Sequence, residues 1–376
     1  MRSTHLCLVV GSLALLSACE QSTSPQATLR SASSSNGRPS ASAAAATTSV
    51  YASGLTNPRG IAFGPDGALY VAEAGTGGPN STTGQCAQDP NPSKSGPTGR
   101  ISRIDGAGHS TPVVTGLPSS LNTLGSAFGI ADIAFVGPKL YGLLDAGCGH
   151  GVPNIPASVI RVDGGSWSIE ADLSAWVAAN PVAHHGPDVE PDGDWYSMIA
   201  VGGVLFAVDA NGGQVVSVKP NSGKIDRVVD ISATQGHIVP TAVVENNGNF
   251  LVGNLETFPA VAGGAKILRV TRDGRLSTAF TNFTTILGLE HDRQGRLYVL
   301  ESFTCPAAPL PCVPAPFAAG LGKVLRVSDD GTQEVIASGL TFPSSLRLGP
   351  DGALYVSNKG YNQAPGSGEI VRIALQ

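Results

Sequence analysis

Short apolar runs broken by glycine, proline and polar pairs recur along the chain from about residue 48 to its end. A Leu-Tyr-Val unit at 69–71 returns at 297–299 and 354–356. It is degraded to LYG at 140–142, LFA at 205–207 and FLV at 250–252. A second apolar unit follows each: ISRI at 101–104, VIRV at 159–162, VVSV at 215–218, ILRV at 267–270, VLRV at 324–327 and IVRI at 370–373. A further strand-like stretch lies between successive pairs, as at Thr111–Thr115 and Lys224–Asp230. Each repeat therefore predicts four short strands, a to d, at a period of about 46 residues in its shortest form. That is the spacing of propeller blades, so the pattern predicts an all-β, six-bladed β-propeller with four antiparallel strands per blade. The last repeat ends after strand c, while Thr48–Ser53 is left over and matches strand d elsewhere. The expectation is that this N-terminal strand completes the last blade and covers its open edge.

Gly64-Pro65-Asp66-Gly67 and Gly349-Pro350-Asp351-Gly352 read as tight turns between strands a and b. Proline presets φ there and glycine permits positive φ. These turns and the c–d turns make one trim face. All the long insertions, at 75–98, 146–157, 174–193, 255–264 and 302–321, fall on the other, where a rigid scaffold carries its functional loops. Asp172–Asn180 reads as one or two turns of helix. Composition agrees: Gly 48 and Pro 27 of 376 residues, with only 14% charged residues, exclude a helical bundle or a charged disordered chain. A net charge of −5 gives no electrostatic reason to expect nucleic acid.

The first residues carry a different signal. Arg2 precedes an apolar run, Leu6–Leu16, which is too short to span a bilayer as a helix and reads as a secretory signal. Leu16-Ser17-Ala18-Cys19 resembles a bacterial lipobox, which implies cleavage before Cys19 and acylation of its thiol. Residues 1–18 are thus expected to be the signal. Residues 19–47, rich in Ser, Ala and Thr, form a flexible tether, and 48–376 the propeller. Loss of Arg2 takes the charge from −5 to about −6. Glu20 after the cysteine, where an Asp would resemble an inner-membrane retention signal, points to the outer membrane or cell surface.

The stretches SGLTNPRGIAFGPDGALYVAEAGTGG (53–78), GPTGRISRI (96–104), VVTGLP (113–118), DLSAWVAANP (172–181) and VVDIS (228–232) resemble the ScyD/ScyE family of exported bacterial NHL-like propellers. The resemblance spans about 50–376. It implies fold and export, without a settled activity. It departs at Asp194-Trp195-Tyr196-Ser197.

Candidate chemistry gathers on the ornate face. Strand b ends in Glu73, Asp145, Asp209, Asn254, Glu301 and Asn358, hard oxygen ligands suited to Ca²⁺ or another divalent metal. Gluconolactonase-like propellers hold a metal with a similar set. The competing reading is that Asp and Asn cap turns, as their recurrence in every blade suggests. The strand-c residues Arg103, Arg161, Arg269, Arg326 and Arg372 are periodic too and read as structural. Arg59 and Asp132 break the symmetry near the channel mouth. With Trp195 and His237 they are the candidate ligand contacts, against a bland role facing water. His150, His184, His185 and His237 all lie in ornate-face loops, where any could act as a general base. Asp188–Asp194 alternates acids and a glycine like the start of a calcium loop, but Ile199 stands where the bidentate ligand belongs. Cys86, Cys148, Cys305 and Cys312, an even set in an exported chain, suggest disulfides. Cys305–Cys312 and Cys86–Cys148 are the favoured pairs among three arrangements.

The expectation is a lipid-anchored exported propeller, monomeric, that binds a small ligand or protein through its long-loop face without catalysis. The alternative is a metal-dependent hydrolase or lyase using acids at the channel mouth, and an accessory role to an oxidoreductase comes third.

Overall fold

The computed structural model describes residues 46–85, 93–188, 190–304 and 319–376. Cys19, Cys86, Cys305 and Cys312, together with the signal and nearly all of the tether, lie outside the described residues. The six repeats form six antiparallel sheets, one per blade, with strand a innermost. Blade 2 shows the plan: Ile130–Val136, Lys139–Leu144, Ser158–Asp163 and Ser166–Asp172 pair in sequence order. Blades 3, 4 and 5 begin with Trp195–Val201, Pro240–Asn246 and Ile286–His291. Blade 6 comprises Ser345–Leu348, Leu354–Asn358 and Gly368–Ala374, and its outer strand is Thr47–Leu55 from the other end of the chain. Ser49 lies opposite Arg372 and Ala52 opposite Ile370, so the ring closes as the pattern predicts.

Blade 1 departs from the others. After Pro58–Phe63 and Leu69–Glu73, its outer strands run long, Ser93–Ile104 and Ser110–Asn122. Part of the 75–98 insertion is therefore a β-ribbon rising above the ornate face. It packs backbone against backbone: a Cβ on Gly77 would meet the Lys94 carbonyl oxygen at 2.1 Å.

The apolar core lies between blades. Tyr141, Leu143, Trp195, Met198 and Leu205 fill the space between blades 2 and 3, and Leu55, Ile61, Val71 and Ile370 that between blades 6 and 1. Most strands bury both faces, which accounts for the low charged fraction. On the trim face, Asp66 and Asp351 of the two Gly-Pro-Asp-Gly turns accept from Arg103 and Arg372 at 2.8 Å, tying strand c to the a–b turn. The helix at Leu173–Ala179 forms where expected, with the Asp172 carboxylate accepting from the Ala175 N–H. The one-turn helix Ser232–Gln235 has no comparable sequence signal.

Candidate functional site

The starts of the inner strands surround the central channel, and a salt bridge spans it. Arg347 of blade 6 reaches the Asp132 carboxylate of blade 2 at 3.3 Å and the Met198 carbonyl of blade 3 at 3.4 Å. Asp132 also accepts from the N–H groups of Met198 (2.7 Å) and Ile133 (2.8 Å). Burial pushes its pKa up to about 6, against the opposing pull of Arg347 and these donors. Gly60 makes the seat possible, because a Cβ there would stand 1.8 Å from Asp132 Oδ1.

Above this floor, on the long-loop face, opens a cup of about 400 Å³ to which all six blades contribute. Its walls are largely apolar and aromatic, with Phe128, Trp195, Tyr196, Phe258, Phe303 and Tyr361 among them. Leu124 and Phe258 stay more than half exposed at its edge. The Tyr196 hydroxyl donates to the Ser344 carbonyl (3.2 Å), and that of Thr241 to the Ile286 carbonyl (2.5 Å). Arg59 donates to the Ala127 carbonyl at 2.6 Å, with its guanidinium 5.8 Å from the Tyr361 ring centroid.

One wall is charged. His150, carried by the 146–157 insertion, is buried and stacked on Phe128 at 4.7 Å. Its Nδ1 lies 3.1 Å from Asp145 and its Nε2 3.0 Å from Glu190. Burial disfavours charge on the imidazole, but the carboxylates on its two nitrogens prevail and hold its pKa well above the ordinary value. Asp194 lies beside this pair. One donor atom each from Asp145, His150 and Asp194 falls within 4.8 Å of the others. Burial, then the charges of Asp145 and Glu190, hold the Asp194 carboxyl well above the usual range, while His150 opposes them.

The strand-b ring has other work. Glu73 accepts from the Thr56 N–H and from Arg100 through both oxygens, each at 2.7 Å. Asp209 accepts from the N–H groups of Asp194 and Gly212, Glu301 from Thr284, Asn254 from Lys266 and Asn358 from Thr341. In blades 1, 3, 5 and 6 this residue pins the segment entering its own blade, and in blade 4 Asn254 does so by donating to the Ile238 carbonyl. Asp145 alone turns to a neighbouring blade, accepting from the Trp195 N–H at 3.2 Å.

Of the sequence candidates, Arg59 and Trp195 line the cup together. Asp132 lies one layer below it. His237 stands outside, 3.1 Å from Asp188. Among the described residues, Asp145, His150 and Asp194 are the one group placed to hold a metal. They do not fit calcium, which takes six to eight oxygens, and both His150 nitrogens already face carboxylates. The acids of 188–194 act separately: Asp188 meets His237, Glu190 meets His150, and Asp192 accepts from the Gly149 N–H. Cys148 is disulfide-bonded, to a partner outside the described residues. Arg347 has no sequence signal of its own, and Glu190 and Asp194 enter the sequence reading only as acids of the calcium-loop-like 188–194 stretch.

Neither a protein-family model nor a curated protein sequence matches the chain. Solved structures do. A Bacteroides thetaiotaomicron protein of unknown function aligns at TM-score 0.56 and 12% identity over 88% of this chain and 76% of its own. A Xanthomonas campestris gluconolactonase aligns at 0.54 and 10% over 88% and 90%. Regucalcin, a calcium-binding protein of Agrobacterium tumefaciens, aligns at 0.51 and 13% over 88% and 94%. The chain shares their six-bladed propeller fold. At such identities the likeness extends to the fold alone.

Proposed function

We propose that this is an exported, lipid-anchored propeller of ScyD/ScyE type that binds a small ligand in the cup and does not transform it. The observation that carries this is the cup itself: about 400 Å³, aromatic-walled and fed by every blade, within the size range of small-molecule sites. The lipobox and tether support the address. The commitment of the strand-b ring to its own blades weighs against a six-residue metal centre. Nile red, a neutral apolar fluorophore, tests the reading. It is expected to saturate one site per chain, and Leu287→Trp, which fills the cup, is expected to abolish that site without unfolding the ring. Saturable binding that survives the substitution would place the site elsewhere.

The second reading is a metal-dependent hydrolase or lyase, favoured by the Asp145, His150 and Asp194 grouping. An imidazole with carboxylates suits zinc-like ions once the imidazole loses its proton. A stoichiometric divalent ion in purified protein, lost on Asp194→Asn, would favour this reading over simple binding.

A further inference from the structure

Most polar groups of the cup are engaged inside the protein, and Asp194 is the acid among them that no donor meets. Tyr196, Thr241 and Arg59 all donate to backbone carbonyls, and Tyr361 meets the Ser302 hydroxyl at 3.4 Å. Asp145 accepts from Trp195 and His150. Among the described residues no donor reaches the Asp194 carboxyl, although it lines the cup. Asp145 and Glu190 nearby add negative potential that the single positive charge of His150 does not cancel. An uncompensated acid in an aromatic enclosure is an incomplete site, since buried carboxylates are stable when donors or a counter-charge complete them.

We infer that, granted the ligand-binding reading, the ligand is an organic cation: a protonated amine seated on Asp194, with its apolar or aromatic body against Phe128, Trp195 and Tyr361. An ammonium supplies up to three N–H donors and the missing charge, and aromatic side chains favour a nearby cation through their ring quadrupoles. An organic anion would have to take Arg59, whose guanidinium gives one N–H to the Ala127 carbonyl and lies 5.8 Å from the Tyr361 ring centroid; its remaining N–H groups make the anion the competing outcome of the test. It would also share the cup with the carboxyl groups of Asp145 and Asp194. A neutral ligand would leave Asp194 without a donor unless it carried a hydroxyl, which is why alcohols are the informative control.

The experiment titrates the full chain in detergent with 2-phenylethylamine, tryptamine and hexylamine at pH 7.5. Each is paired with a neutral alcohol of matching shape, and 3-phenylpropanoate serves as the anion. At least one amine is expected to bind about tenfold tighter than its alcohol, the scale of a charge-assisted hydrogen bond. Asp194→Asn is expected to remove that advantage while leaving alcohol binding and thermal stability in place. Alcohols binding as well as amines, or an amine preference unchanged by Asp194→Asn, would overturn the cation inference and leave ligand binding standing. Preference for the anion would overturn it in favour of Arg59. Amine affinity abolished by a chelator would overturn it in favour of a metal. If no compound binds while Nile red does, the cation inference falls alone; if Nile red also fails, both fall.

Discussion

Arg347 and Asp132, 215 residues apart in sequence, meet at 3.3 Å inside the channel and tie blade 6 to blade 2. Asp132 has a folded pKa near 6, above its unfolded value, so the stability linked to its protonated form is complete below about pH 4 and is lost as pH rises through 6. Arg347→Met removes the cation that tolerates the ionised acid. The variant is expected to lose about 3 kcal/mol at pH 8, where a buried charge is left unpaired, and much less at pH 4.5. Urea unfolding at the two pH values measures this, and equal losses would contradict the pairing.

His150 is clamped between two carboxylates, which raises its folded pKa, so it contributes stability that is present below about 6.5 and lost as pH climbs through the higher folded value. Its ring is expected to carry both protons at pH 7.5 in imidazole-nitrogen NMR spectra. Glu190→Gln should move the titration towards lower pH. A ring already neutral at pH 7 in the parent protein would refute the clamp.

Leu55 is fully buried where the first strand meets the last blade. Leu55→Ala is expected to cost about 3 kcal/mol in denaturant unfolding. Deleting residues 47–55 would expose the edge of Gly368–Ala374 to other chains. Light scattering should then report aggregation, and a monodisperse deletion variant would mean that the strand is dispensable.

Replacing Cys19 with Ala is expected to shift the protein from the membrane fraction to the soluble one. Unchanged retention after alkaline washing would show that the lipobox is not what anchors it.

The ring was legible because its parts repeat. Leu-Tyr-Val units, Gly-Pro-Asp-Gly turns and a leftover strand resembling strand d state the blade count and the closure on their own. The cup was only half legible. Arg59 and Asp132 showed themselves by breaking a periodic position. Arg347 did not, because its partner is visible only across the channel. His150 comes from the 146–157 insertion and Glu190 and Asp194 from the acidic 188–194 stretch, and no spacing records the meeting of the two segments. The strand-b ring illustrates the opposite case: its periodicity pointed towards turn-capping, and five of the six residues hold backbone N–H or C=O groups of their own blade.

The sharing of one blade by both ends of the propeller also sets an order on its making. Thr47–Leu55 leaves the ribosome before any other strand, yet its neighbour, Gly368–Ala374, arrives last. Five blades can assemble as they emerge, but the sixth must wait for Gly368–Ala374. Thr47–Leu55 must therefore stay unpaired until Gly368–Ala374 has been made, and a chain halted before that point holds an open arc rather than a ring.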